Sequence, residues 1–83
     1  MSGVTENISR RRYELDVDGQ TVFADYRLDG QTLYITHVEA PVLLRGTGAA
    51  GRLMEGLIPL AGASGYDIVP VCSYAVAWMK RHP

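Results

Sequence analysis

Two Asp-Gly dipeptides, Asp18-Gly19 and Asp29-Gly30, constrain this chain more than any other feature. Each stands between runs in which apolar and polar residues alternate. Tyr13, Leu15 and Val17 alternate with Glu14 and Asp16, and Val22, Ala24, Tyr26 and Leu28 alternate with Phe23, Asp25 and Arg27. Leu33 and Ile35 continue the apolar face. Alternation is the period of a half-buried strand, and Asp-Gly supplies the backbone that a tight hairpin turn needs. Residues 12–38 therefore read as a meander of three antiparallel strands.

The chain then changes character. Past Glu39 it crosses Ala40-Pro41 and enters a glycine loop, and Ala50, Leu53, Met54, Leu57 and Ala61 fall at helical spacing as one apolar stripe. Pro59 lies inside that helix and should kink or shorten it, because it removes one backbone hydrogen bond. Gly65 suits the helix stop. Tyr66–Val71, YDIVPV, reads as a strand parallel to the one before the helix. Pro70 cannot donate to a ladder, so part of that strand must splay or lie at an edge. Ser73 suits an N-cap, and Tyr74–Arg81 closes as a short helix with Ala75, Trp78 and Met79 inward. The fold class is α/β (α+β): a meander, then strand, loop, helix, strand and helix.

A chain of 83 residues allows one domain with a modest core. Residues 1–9 are polar and unpatterned and read as a frayed, disordered end, leaving residues 10–83 as the single domain. Arg10-Arg11-Arg12 reads as a solvated edge beside the first strand. With 47% hydrophobic and 20% charged residues and a net charge of −1, the composition is that of an ordinary globular domain. That charge offers nucleic acid or an anionic membrane no general attraction. No run is long enough to span a bilayer, and no signal-peptide core stands at the start. A single cysteine excludes an internal disulfide framework and fits a reducing cytoplasm. No metal-ligand spacing is present.

The loop is where function should reside. Gly46 and Gly48 lack a Cβ, so the backbone can adopt positive φ and approach a bulky ligand. The first amides of the following helix have no intrahelical partners, and the helix dipole adds partial positive charge there. That is an anion site, most naturally for phosphate, with Arg45 at its lip. No Gly-Lys-Ser/Thr follows, which excludes the nucleotide P-loop. Gly46, Gly48 and Gly51 do spell the dinucleotide fingerprint, but that motif belongs to a βαβ unit with an acid ending the next strand. Here it follows hairpins, and Asp67 begins the next strand instead.

Arg45-Gly46-Thr47-Gly48-Ala49-Ala50 fits R-x-x-G-x-G/A. Around it stand Thr36-His37-Val38-Glu39-Ala40-Pro41, Leu44 through Gly48, Val69-Pro70-Val71-Cys72 and a Lys80-Arg81-His82-Pro83 end. Over roughly Tyr13 to Pro83 the chain resembles the small stand-alone members of the GCN5-related N-acetyltransferases. That resemblance implies a GNAT-like core that binds acetyl-CoA, its pyrophosphate on Leu44, Arg45, Gly46, Thr47, Gly48, Ala49 and Ala50. The strands Leu33–Val38 and Tyr66–Val71 would part, and the pantetheine arm would run along Thr36 to Val38.

The implied activity is acetyl-CoA-dependent transfer to an amine. Such transfer needs a base and a group to help the thiolate leave. His37 is the candidate base, with Glu39 acting through a water, or else a strand histidine held by packing. The family's tyrosine on the last helix would fall on Trp78 or Met79, and Tyr74 sits a turn too early to inherit that role. Cys72, just before a helix N-terminus, is the second catalytic candidate, as nucleophile or proton shuttle, or else a small buried residue. The alternative is a CoA-binding module without turnover, a sensor or a subunit. The acceptor is an unidentified amine, a protein among the options because the acceptor side lacks the usual helices; a homodimer is another way to cover that side.

Overall fold

The structure is a computed structural model that describes residues 3–83; Met1 and Ser2 lie outside the described residues. Five strands form one sheet in the order of the chain: β1 (Thr5–Asn7), β2 (Arg12–Val17), β3 (Gln20–Asp29), β4 (Thr32–Glu39) and β5 (Asp67–Pro70). The first four pair antiparallel, and β5 pairs parallel to β4. Between β4 and β5 come a 3₁₀ turn, Val42–Leu44, and helix α1 (Ala49–Ala63), and helix α2 (Ser73–Arg81) ends the fold.

The turns follow from their residues. Asp18 and Gly19, both at positive φ, fill the two-residue loop between Val17 and Gln20. The mirror-image twist of such a turn matches the twist of the strands it joins. In the second hairpin the loop is Gly30-Gln31, and only Gly30 takes positive φ. Arg11, also at positive φ, bonds its amide to Ile8 O at 3.2 Å, so the arginine run partly forms the β1–β2 turn.

One parity of the sheet is buried: Tyr13, Leu15, Val22, Ala24, Tyr26, Leu33 and Ile35. Against that face α1 lays Ala49, Leu53, Met54, Leu57 and Ala61, and α2 lays Ala75 and Trp78, all in a single core. The opposite sheet face carries no helix. It displays Arg12, Glu14, Phe23, Asp25, Arg27 and Tyr34, none of them fully buried.

Three expectations need correction. The N-terminal stretch is not frayed through residue 9, because Thr5–Asn7 pairs with Arg12–Glu14. Val4 is buried, and Tyr26 Oη donates to the Glu6 carboxylate. Those anchors are tertiary, so a polar nonapeptide gives no local sign of them. Pro59 does not shorten α1, which runs on to Ala63. A proline in a helix interior costs about 3 kcal/mol, yet each large apolar side chain the helix buries returns roughly 1.5–3 kcal/mol. Pro59 is exposed, so the carbonyl it leaves without a donor lies on the wet side. Finally, Cys72 rather than Ser73 is the N-cap of α2, its sulfur accepting from Ala75 N at 3.4 Å.

Gly65 does stop α1. At φ +82° it lets Tyr66 N reach Ala61 O at 3.0 Å and its own amide reach Gly62 O at 3.0 Å. Those paired bonds satisfy carbonyls that the helix end would leave open.

The Tyr13 hydroxyl is buried without a hydrogen-bond partner among the described residues. Burial, then the Glu6 carboxylate, then Tyr66 push its pKa up to about 12. Unfolded tyrosine ionises near 10. Between those values the folded state holds the extra proton, so stability should fall as pH rises through that window. Tyr13→Phe should be neutral or stabilising by up to about 1 kcal/mol at pH 7, since no bond is lost. It should also flatten the alkaline fall, as thermal melts across the pH range will show.

Candidate functional site

The site begins where two parallel strands stop being parallel. Ladder pairing of β4 with β5 ends at Ile35 opposite Pro70. Ile35 O then receives two amides, Val71 N at 2.9 Å and Cys72 N at 3.2 Å. Beyond this fork β4 continues to Glu39 with β3 on one side and no strand on the other. Pro70 is tolerated because β5 is the edge strand: Asp67 N and Val71 N face β4, so the missing N–H of residue 70 falls on the open outer edge.

A β-bulge lies at the same level. Tyr26 pairs with Ile35, but Asp25 pairs with His37, so Thr36 is the extra residue. Its hydroxyl donates to Asp25 O at 3.3 Å. The bulge settles a conflict in the sequence, for Ile35 and Val38 both pack inward although three residues apart. A regular strand would bury His37 and expose Val38. The extra residue turns His37 to the open face instead.

The loop comes next. Gly46 and Gly48 take φ +79° and +84°, and a Cβ built on either would meet nothing within 4 Å. Space above the loop is thus open, and the glycines are there for their backbone. Gly48 is the N-cap of α1 and brings no side chain to its amides; the first turn holds no acid. Arg52 N, bonded to Gly48 O at 3.0 Å, opens the helical ladder, so the amides ahead of it face the cleft. Arg45 Nε donates to Ala40 O at 3.2 Å and ties the loop back to the end of β4.

These parts enclose a cleft of about 520 Å³, lined by the end of β4 from His37 to Glu39 and the Ala40 beyond it, by Leu44 to Gly51 without Thr47, and by Tyr74. His37 Nε2 stands 3.1 Å from Glu39 Oε1, with both side chains about half exposed. Tyr74 reaches in from the first turn of α2. Burial raises its pKa, against a smaller opposing pull from Arg81, so its phenol stays protonated at neutral pH. Gly51 faces α2 here; a Cβ on it would lie at ordinary contact distance, 3.5 Å from Trp78 Nε1 and 3.8 Å from Tyr74 Oη.

A strand that forks from its neighbour over a loop of uncapped amides is the arrangement the sequence resemblance implied. A family model described as GCN5-related N-acetyl-transferase matches residues 12–83. The chain belongs to the GCN5-related N-acetyltransferases. Its five-stranded mixed sheet with two helices is a GNAT-like core, and the domain is an acetyltransferase domain. Comparison with curated proteins found no match. Among the described residues, no helix is long and apolar enough to cross a membrane.

Of the site residues of this acetyltransferase named from sequence, His37, Val38, Leu44, Arg45, Gly46, Gly48, Ala49 and Ala50 come together in the cleft. Three do not line it. Thr36 is spent on the bulge, and Thr47 Oγ donates to Leu44 O at 2.5 Å. Cys72 stands at the fork, but its sulfur turns back to cap α2. Tyr74 is the cleft residue that sequence reasoning passed over. The signal was available: a tyrosine in the first turn after a V-P-x-C strand end sits at the mouth of the splay. Cys72→Ala should lower stability by about 0.5–2 kcal/mol through loss of the cap, measurable by thermal denaturation.

Proposed function

We propose that this domain moves the acetyl group of acetyl-CoA to an amine. The observation that carries this reading is the uncapped N-terminus of α1 behind two positive-φ glycines, open to the cleft. Amides arrayed that way suit an anion with several oxygens, such as a diphosphate, because several donors can be used at once without a counter-charge. The residues that would hold the pyrophosphate are Gly46, Gly48, Ala49 and Ala50, with Arg45 beside them. The β4 backbone past the fork offers an unpaired edge to an amide-bearing chain such as pantetheine. When bound, acetyl-CoA would supply an activated thioester.

The protein's own part is proton handling and placement. An acceptor nitrogen must shed a proton as it bonds to the carbonyl carbon, and the sulfur must leave as thiolate or thiol. His37, held by Glu39 at 3.1 Å, would take the first proton. The Tyr74 phenol lines the cleft on the α2 side and is the proton donor we propose there, a turn before the place of the family's tyrosine. Cys72 remains a candidate at the fork, where its amide meets Ile35 O. Its sulfur must leave Ala75 N before it can act, and for that reason we rank it behind Tyr74.

Two measurements test the reading. CoA and acetyl-CoA should raise the melting temperature by binding the folded state alone, and no shift at millimolar CoA would sink the assignment. Gly48→Val should weaken CoA binding by more than about 100-fold, through backbone strain of roughly 1–3 kcal/mol and a blocked approach. Arg45→Ala should cost only about 2- to 5-fold, the worth of one partly solvated charge. Equal losses in a calorimetric titration would mean that the amides do not dominate.

Turnover separates catalysis from mere CoA binding. Tyr74→Phe should slow acetyl transfer by about 10-fold or more while leaving CoA affinity nearly unchanged. Unaltered rates would remove Tyr74 from the chemistry.

A further inference from the structure

The gap between the two helices holds two donors that the fold leaves unused. Gly51 lines the cleft, and the atoms that a Cβ on it would meet are Trp78 Nε1 and Tyr74 Oη. The indole N–H can only donate, and the phenol can donate or accept. Among the described residues neither side chain makes a hydrogen bond; the side-chain bond to Trp78 ends on its carbonyl, which accepts from His82 Nδ1 at 2.9 Å.

The indole is held in place. Trp78 is 6% exposed and belongs to the core. The His82 ring stacks on it, 4.0 Å between centroids and 13° between planes. A core tryptophan usually finds a partner for its N–H, because a sealed donor without one is costly. Here the N–H is not sealed. Among the described residues only the Tyr13 hydroxyl is both cut off from solvent and unpartnered. The little of Trp78 that stays exposed therefore includes its N–H, and the neighbour there is Gly51, on the wall of the cleft.

Resting on the acetyl-transfer reading, we propose that Trp78 is a further catalytic residue, its indole N–H donating to the thioester sulfur as that sulfur leaves. Tyr74 fixes which atom the indole meets. A sulfur that takes the phenol proton lies against the phenol, and the indole N–H flanks the same side of Gly51. The two donors then divide the work. The acceptor nitrogen bonds to the carbonyl carbon and gives its proton to His37. The C–S bond breaks, its electron pair goes to sulfur, and the Tyr74 proton follows; solvent resets both residues. Trp78 keeps its proton throughout, since indole donates a hydrogen bond and is no acid. A hydrogen bond strengthens when its acceptor becomes charged. An interaction stronger in the transition state than before it raises kcat and not affinity.

Trp78 is the only tryptophan of the chain, so its indole gives a single signal in a proton–nitrogen correlation spectrum. The test titrates the nitrogen-labelled protein with CoA, desulfo-CoA and ADP at about pH 8.5, where an ordinary thiol is half ionised. CoA should move the indole proton downfield, the mark of a gained hydrogen bond. Desulfo-CoA should still raise the melting temperature, yet move that signal no more than about half as far. ADP, which brings the diphosphate alone, should leave it in place. Trp78→Phe keeps an aromatic ring and removes the donor. With propylamine as acceptor it should lower kcat about 10- to 100-fold, the worth of one hydrogen bond to a charged group, at nearly unchanged KM for acetyl-CoA.

An indole signal that CoA leaves still, or that desulfo-CoA or ADP moves equally far, would overturn the proposal. Full kcat in Trp78→Phe would do the same. The titration uses the unmodified chain, so it decides the matter even if that variant does not fold. A melting shift with CoA beside an unmoved indole would strike out Trp78 alone. The absence of any melting shift would overturn the cofactor reading and Trp78 with it.

Discussion

One carbonyl oxygen governs the layout of this domain. Ile35 O takes the amides of both Val71 and Cys72, and that doubled bond ends the pairing of β4 with β5. Pro70 costs no ladder bond there, because Asp67 and Val71 are the β5 amides that face β4 and the missing N–H of residue 70 lies on the outer edge of the sheet. From that point β4 runs on alone to Glu39, and the space beside it becomes the cleft.

What fills the base of the gap is a helix end kept open by omission. Gly48 caps α1 without a side chain, and no acid neutralises the first turn. A serine or aspartate there would satisfy one amide and stabilise the helix by about 1 kcal/mol. It would also occupy an amide that now lines the cleft. At the other helix the reverse choice was made, since Cys72 spends its sulfur on the Ala75 amide. The two helix starts thus differ: one is left uncapped, the other is closed by its own chain.

The bulge at Thr36 ties the core to the chemistry. Val38 packs against the core while His37 looks outward, and only an extra residue lets both happen after Ile35. The imidazole therefore belongs to the cleft and to the uncovered sheet face together. Glu39 on the same face holds it at 3.1 Å. A change of one residue in that strand would shift the register of everything that follows.

Local chemistry in the sequence determined the meander, the glycine loop, the stripe of α1 and its stop at Gly65. Asp-Gly turns, alternation and helical spacing each act within a few residues, so each is legible without the fold. The sequence also placed most of the cleft, because the loop and the end of β4 are contiguous. Tertiary structure decided the rest. It recruited Thr5–Asn7 into the sheet through Val4 and the Glu6–Tyr26 bond, partners about twenty residues apart in the chain. It carried α1 through Pro59, since burial along one face outweighs a bond lost on the other. It brought Tyr74 into the cleft, turned Cys72 away from it and set His37 on the outer face. Those placements depend on where one helix meets another and on how one strand slips against its neighbour, and no short window of sequence contains either.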